Sequence, residues 1–276
     1  IEQKRTTLAT ITKGVALNRL GMSAILDGKW DRGDSLFKQA LAMLAAIVPP
    51  SNLERLDVQL KRETMAEHFA RWAQADSIIQ ENLQTVLATL GIDSREHAMF
   101  LAQQAGLFAA TGKLPLARSA SAAAVRIIDS IPEVASVVRA TIYQSRAIIT
   151  SGDRDWATSD TLLRKAQQAL RDVKRGFPIV TVAANYGFVL VKQNRLVEAD
   201  SQLTHALAAY TASGITMIAL KNYLHALRAY AYDRANNPAG VTSEIGQLPT
   251  AMQASVRAFV VQQRALDAGP VSKAAH

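Results

Sequence analysis

The sequence predicts an all-α chain: a right-handed α-solenoid of about six antiparallel helix pairs, closed by a C-terminal capping helix. Three observations predict it. Turn-forming positions recur at Gly28, Ala70, Gly112, Gly152, Asn194 and Asn236, at intervals of 42, 42, 40, 42 and 42 residues. The positions where paired helices must approach closely recur at the same intervals, at Gly21, Glu63, Ala105, Ser145, Gly187 and Ala229. A matching series, Ala40, Asn82, Ala124, Ala166 and Ala206, marks the second helix of successive units. Self-similarity at a fixed period marks a chain that grows by stacking, because one helix pair cannot bury its own apolar face.

The clearest copy is Tyr186 to Leu207. A first helix ends at Gln193-Asn194-Arg195, and a second turns its apolar stripe back onto the first. Gly187 lies where the axes cross, and Leu190, Leu196, Ala199, Leu203 and Ala206 follow at helical spacing. The turn calls for Gly or Asn because one residue there adopts a left-handed conformation.

On this register the units fall at about 8–48, 53–90, 95–130, 133–174, 177–213 and 215–248. They are read as a single repeat domain spanning 1–268. The first unit carries Leu17, Leu20, Gly21, Ala24, Trp30, Phe37 and Ala40. The second places Arg62 and Glu63 where bulky and small apolar residues belong, so its first helix is expected to be shifted or splayed. The third carries Leu101, Ala105, Phe108, Leu114, Ala117 and Ala124, and the fourth has two extra residues in the turn Gly152 to Trp156. In the sixth, the second helix after Asn236-Asn237-Pro238 is short and broken near Gly246 and Pro249. A last helix at 250–268 caps the array, with an apolar stripe of Met252, Val256, Phe259, Val260 and Gln263 and a wet side at Arg257 and Arg264. Residues 269–276 read as a flexible tail.

These residues resemble the tetratricopeptide repeat (TPR): the bulky-small pair before the turn, an aromatic or Leu after it, and the Ala positions of the second helix. The 42-residue spacing exceeds the usual period of about 34 and is similar to the longer kinesin-light-chain type. Leu87 to Gly91 with Arg95-Glu96-His97 resembles the inter-repeat linker of that type. The resemblance covers roughly residues 10–248. It implies a concave groove lined by the first helices.

Composition narrows the function. There are 31 Lys and Arg against 23 Asp and Glu, a net charge of +8, with the cations scattered rather than gathered in a tail. This balance permits acidic partners such as acidic peptides, nucleic acid or anionic lipid, and the scatter of the cations does not specially favour nucleic acid. With 0 cysteines, disulfides, thiolate zinc sites and a catalytic thiol are excluded. The uncharged run 177–191, 15 residues with Pro178 and Asn185 in it, is too short and polar to insert in a bilayer. Ile1 begins without a signal-peptide pattern, so an excised segment or processed chain is expected. The compartment stays open between cytoplasm and periplasm.

No nucleophile elbow, zincin, dinucleotide-binding or phosphate-loop motif occurs, so neither an enzyme nor a cofactor is expected. The nearest approach to a phosphate loop, Gly106 to Lys113, has the wrong spacing and Leu114 in place of the hydroxyl. The five histidines lack metal-ligand spacing. Glu63 and Glu67, one turn apart, are read as a solvated helix face, with a carboxylate pair as the alternative.

The groove residues follow from the helical period, on the face opposite the packing stripe. They are Arg19 (with Asn18 and Met22), Lys61 (with Thr64 and His68) and Gln103 in the first three units. Arg139, Tyr143 and Arg146 follow in the fourth, and Asn185, Phe188 and Lys192 in the fifth. The sixth gives Tyr223, Tyr230, Asp233 and Arg234. Such a surface suits an extended peptide with apolar and acidic side chains, since Arg takes carboxylates bidentately and amides bond the peptide backbone. Asn185 coincides with an Asn that the resembling repeats use for that contact. The function expected is a non-enzymatic protein- or peptide-binding module. Two alternatives are a regulatory or sensory region of a larger bacterial signalling protein and a self-associating scaffold.

Overall fold

A computed structural model describes residues 2–268, with side chains described for 7–267; the tail expected at 269–276 lies outside the described residues. Two compact units divide the chain, Ile1–Asp153 and Arg154–His276. The first holds α1 (Glu2–Leu26), α2 (Trp30–Ala45), α3 (Leu53–His68), α4 (Trp72–Thr89), α5 (Arg95–Ala110), α6 (Leu114–Ser130) and α7 (Ser136–Gly152). The second holds α8 (Trp156–Leu170), α9 (Phe177–Lys192), α10 (Leu196–Ala212), α11 (Ile218–Arg234), α12 (Pro238–Gly246) and α13 (Thr250–Ala268). Among the described residues there is no strand, and no helix is long and apolar enough to cross a membrane.

Local chemistry fixes the helix ends. The Asn52 side chain accepts from the backbone N–H of Glu54 and Arg55 and opens α3; Ser94 does the same for α5 and Asp155 for α8. Proline stands in the first turn of α6, α9 and α12, where its missing N–H has no partner to lose. The intra-pair turns share one geometry. The N–H of Lys29, Arg71, Lys113, Arg195 and Asn237 each donates to the carbonyl five residues earlier, at 2.7–2.9 Å. The residue before each takes positive φ: Gly28 (74°), Ala70 (54°), Gly112 (76°), Asn194 (60°) and Asn236 (53°).

In the fourth pair the left-handed residue is Arg154 (φ 61°), and Gly152 is instead the last residue of α7. The two extra residues therefore lengthen the path into the turn, and the left-handed position keeps its 42-residue interval from Gly112. Left-handed backbone is disfavoured by a β-carbon, most plainly at Ala70, which has no side chain to bond locally. Ala70→Gly is expected to raise unfolding stability by about 1 kcal/mol, read as a higher urea midpoint at unchanged slope.

In the first unit α1 packs with α2, α3 with α4 and α5 with α6, and α7 stacks on both α5 and α6. Leu56, Ala75, Ile79, Val86, Phe100 and Leu107 form a core shared by α3, α4 and α5. In the second unit α8 stacks on α9, α9 pairs with α10 and α11 with α12, and α13 lies against α11 and α12. The pair crossings explain the small residues. A β-carbon added at Gly21 would stand 2.6 Å from Phe37, and one at Gly187 would stand 2.6 Å from Leu203.

A recurring ion pair ties three of the second helices, α2, α6 and α8, to the following turn. Arg71 reaches Asp34 at 3.5 Å and Arg195 reaches Asp160 at 2.7 Å. At the same register in the third pair the signs are exchanged, with Arg118 holding Asp153 through Nε at 2.7 Å and through a second nitrogen at 2.5 Å.

Candidate interaction surface

In the second unit, four of the expected groove residues meet around one helix, α13. Phe188 and Lys192 project from the last turns of α9, and Tyr230 and Arg234 stand at the matching positions of α11, 42 residues on. An aromatic series runs across the helices: Phe188 to Tyr230 at 6.5 Å between ring centroids, and Tyr230 to Phe259 of α13 at 6.3 Å and near-perpendicular. The Lys192 ammonium sits 5.2 Å over the Phe188 ring and 4.9 Å over Tyr230.

Asp267, in the last turn of α13, is the focus of the charges. Lys192 Nζ donates to Asp267 at 2.8 Å and to Gln263 Oε1 at 2.9 Å; Arg234 donates to Asp267 at 2.5 Å, and the Tyr230 hydroxyl donates to the same carboxylate. Burial pushes the Asp267 carboxyl upward, but the hydrogen bonds from Lys192, Tyr230 and Arg234 outweigh it and hold the group below the usual carboxylate range. Burial first, and then the bond to Asp267, push the Tyr230 phenol up. Beside this set, Arg264 of α13 pairs with Asp233.

The linkage sign is fixed by the lowered folded value. Asp267 supplies its stabilisation fully above the unfolded carboxylate range, near pH 4, and loses it as pH falls through the lower folded value. Amide exchange in the last turns of α13 is expected to accelerate below about pH 4, relative to exchange in α9 and α10.

Two other expected residues of this unit remain open. Tyr223 is 42% exposed, and the half-buried Asn185 amide makes no hydrogen bond among the described residues.

The first unit distributes its candidates differently. Arg19 is exposed. Lys61 is paired with Asp57 on its own helix, and Asp57 also accepts from the Asn18 amide at 2.7 Å. Gln103 donates to Glu63 at 2.6 Å and to Thr64 at 3.1 Å, bridging α5 to α3. The three candidates of α7 pack against α6. Arg139 donates to the carbonyls of Ile128, Ile131 and Pro132 and so closes the C-terminal end of α6. Arg146 donates to the Arg118 carbonyl and the Ser121 hydroxyl at 2.9 Å each. Tyr143 is 5% exposed and bonded to Asp129. A first helix in a stack packs on the preceding second helix as well as on its own partner, as α7 does on α6. These three residues lie on that side.

The structure corrects the reading of Glu63 and Glu67 as a solvated face. Glu63 is 0% exposed, between α3 and α5, and one oxygen of each carboxyl is enclosed without a hydrogen-bond donor. Burial, then the charge and hydrogen bond of Glu67, push Glu63 up to about 9; burial also raises Glu67. A proton shared by the pair supplies the donor that two ionised carboxylates would lack.

Three groups lie outside the expected groove residues, although Phe259 and Gln263 belong to the stripe expected on the last helix. Asp267, Gln263 and Phe259 meet α9 and α11 over separations as long as 75 residues, which no local pattern reports. A cavity of 340 Å³ lies at the N-terminal ends of α3 and α5, with Leu60, Met99 and Val138 among its apolar walls and Glu54, Asp57 and Glu96 among its carboxylates. His225, 8% exposed, bonds Glu244 at 2.8 Å, and Arg228 pairs with Glu244 at 3.0 Å. Among the described residues no group of three or more potential ligands is gathered for a metal.

No protein-family model matches the sequence, and no curated protein matches it. Its fold matches solved structures at low identity. BtubC from P. vanneervenii is 16% identical, with a TM-score of 0.59 over 88% of this chain and 92% of that one. A Rap protein complexed with competence and sporulation factor is 11% identical, with a TM-score of 0.65 over 91% and 67%. A thermophilic TPR protein from Thermus thermophilus is 17% identical, with a TM-score of 0.51 over 76% and 98%. With helices paired across a shared turn geometry and small residues at their crossings, the chain is an all-α repeat solenoid with the fold of the tetratricopeptide-type repeat proteins.

Proposed function

We propose that the chain is a non-enzymatic interaction module that binds a peptide or protein segment on its first-helix faces, chiefly the face of α9 and α11. One observation carries this reading. The face already receives an amphipathic helix, with an aromatic ring packed on Tyr230 and a carboxylate held by Lys192, Tyr230 and Arg234. A surface that desolvates a carboxylate with three donors suits a segment with acidic side chains. The solved Rap protein, similar in fold, is in complex with competence and sporulation factor, which is in keeping with a segment-binding role. Catalysis finds little support, because the Glu63–Glu67 pair with its raised carboxyl is enclosed and serves the α3–α5 packing.

The test is a peptide array probed with the full chain, followed by solution titration of the strongest binders. Lys192→Glu with Arg234→Glu is expected to weaken acidic binders at least tenfold. Arg139→Glu, on a side chain that closes α6, is the structural control. Binding that survives the first pair unchanged removes this face from the account.

A further inference from the structure

We propose that α13 is a displaceable ligand of its own chain, and that the partner is a helix presenting an aromatic, an amide and an acidic side chain at four-residue intervals. This rests on the reading of the α9–α11 face as the binding surface. Phe259, Gln263 and Asp267 have that spacing and lie along one side of α13. Each meets the face: Phe259 on Tyr230, Gln263 on Lys192, and Asp267 on Lys192, Tyr230 and Arg234.

The receiving side is assembled by α9 and α11 themselves. Lys192 lies over Phe188 and Tyr230, both on those two helices, so the cation is aimed before α13 arrives. With α13 in place the Lys192 side chain is only 7% exposed. These donors are thereby withheld from any other carboxylate.

The hold on α13 is uneven along its length. Its first half is anchored by buried apolar side chains, Val256 (6% exposed) and Val260 (5%). Its last two turns carry Val261 at 63% exposure and Leu266 at 46%, and are held mainly by polar contacts to α9 and α11. Asp267 also sits at the negative end of the α13 dipole, where a carboxylate is disfavoured unless cations meet it. The last turns can therefore leave while the anchored half stays. A partner helix whose acidic residue lies away from its own C-terminal end escapes the dipole penalty that the resident one bears.

The experiment uses the full chain as wild type and as Asp267→Lys, with Phe259→Ala as a second variant that weakens the hold without adding charge. The probe is a labelled peptide of residues 250–268. Amide exchange across 261–268 is expected to be at least tenfold faster in Asp267→Lys. The peptide is expected to bind that variant at least tenfold more tightly than wild type, and to lose the gain when Lys192→Glu and Arg234→Glu are added. Phe259→Ala should shift exchange and binding in the same direction. Unchanged exchange, or equal peptide binding by wild type and Asp267→Lys, overturns the proposal. Faster exchange without peptide binding also overturns it. In that case array binders that depend on Asn185 and Tyr223 keep the broader function standing, whereas a freed face that binds no array sequence removes both.

Discussion

Glu63→Gln is expected to unfold at a higher temperature than wild type at pH 8, by roughly 5 °C, with the gap closing toward pH 5. The enclosed pair holds a proton in the folded chain that an unfolded glutamate, with its ordinary value near 4.3, has released at neutral pH. Between that value and about 9 the folded state binds more protons than the unfolded one. Stability therefore falls as pH rises, by at most ~1.4 kcal/mol per pH unit. A glutamine amide donates to Glu67 at every pH and removes the dependence. The readout is the thermal midpoint of both proteins from pH 5 to pH 9. Parallel pH profiles would show that the pair is ionised in the folded chain.

Gly187→Val is expected to cost about 2 kcal/mol, because the crossing of α9 and α10 has no room for a β-carbon. The position a β-carbon would take lies 2.6 Å from Leu203 Cγ, and Leu203 is fully buried. Leu203→Ala alone should cost about 2–5 kcal/mol through lost burial and the cavity left behind. In the double variant the added methyls occupy part of that cavity, so the combined loss falls short of the sum. Additive losses in urea denaturation would mean that the two residues do not share one site.

What the sequence told, and where it fell silent, divides by the range of the interactions. The turns were legible because they are local: a left-handed residue, followed in five of them by a bond to the carbonyl five residues earlier, leaves its mark from repeat to repeat. Gly152 misled because glycine is the favoured residue for that conformation, yet here Arg154 adopts it. Glu63 was visible as a break in the register, but its outcome depended on Gln103 of α5, which donates to it across the helices at 2.6 Å. Phe188, Lys192, Tyr230 and Arg234 were found by their period, while their occupant was not, since a 75-residue contact has no periodic signature. Arg139, Tyr143 and Arg146 show the opposite limit. Their polarity suggested an open face, whereas long polar side chains also serve as braces to backbone carbonyls and neighbouring helices.

The exchanged signs of Arg118 and Asp153 bear on how such a chain can be inherited. Repeats of similar length invite unequal recombination, which deletes or duplicates a whole copy. A deletion that brought the Arg118 helix before the Arg195 turn would set cation against cation, where Asp160 now meets Arg195. One reversed pair thus gives the copies an order, and a rearranged gene would encode a junction that repels itself.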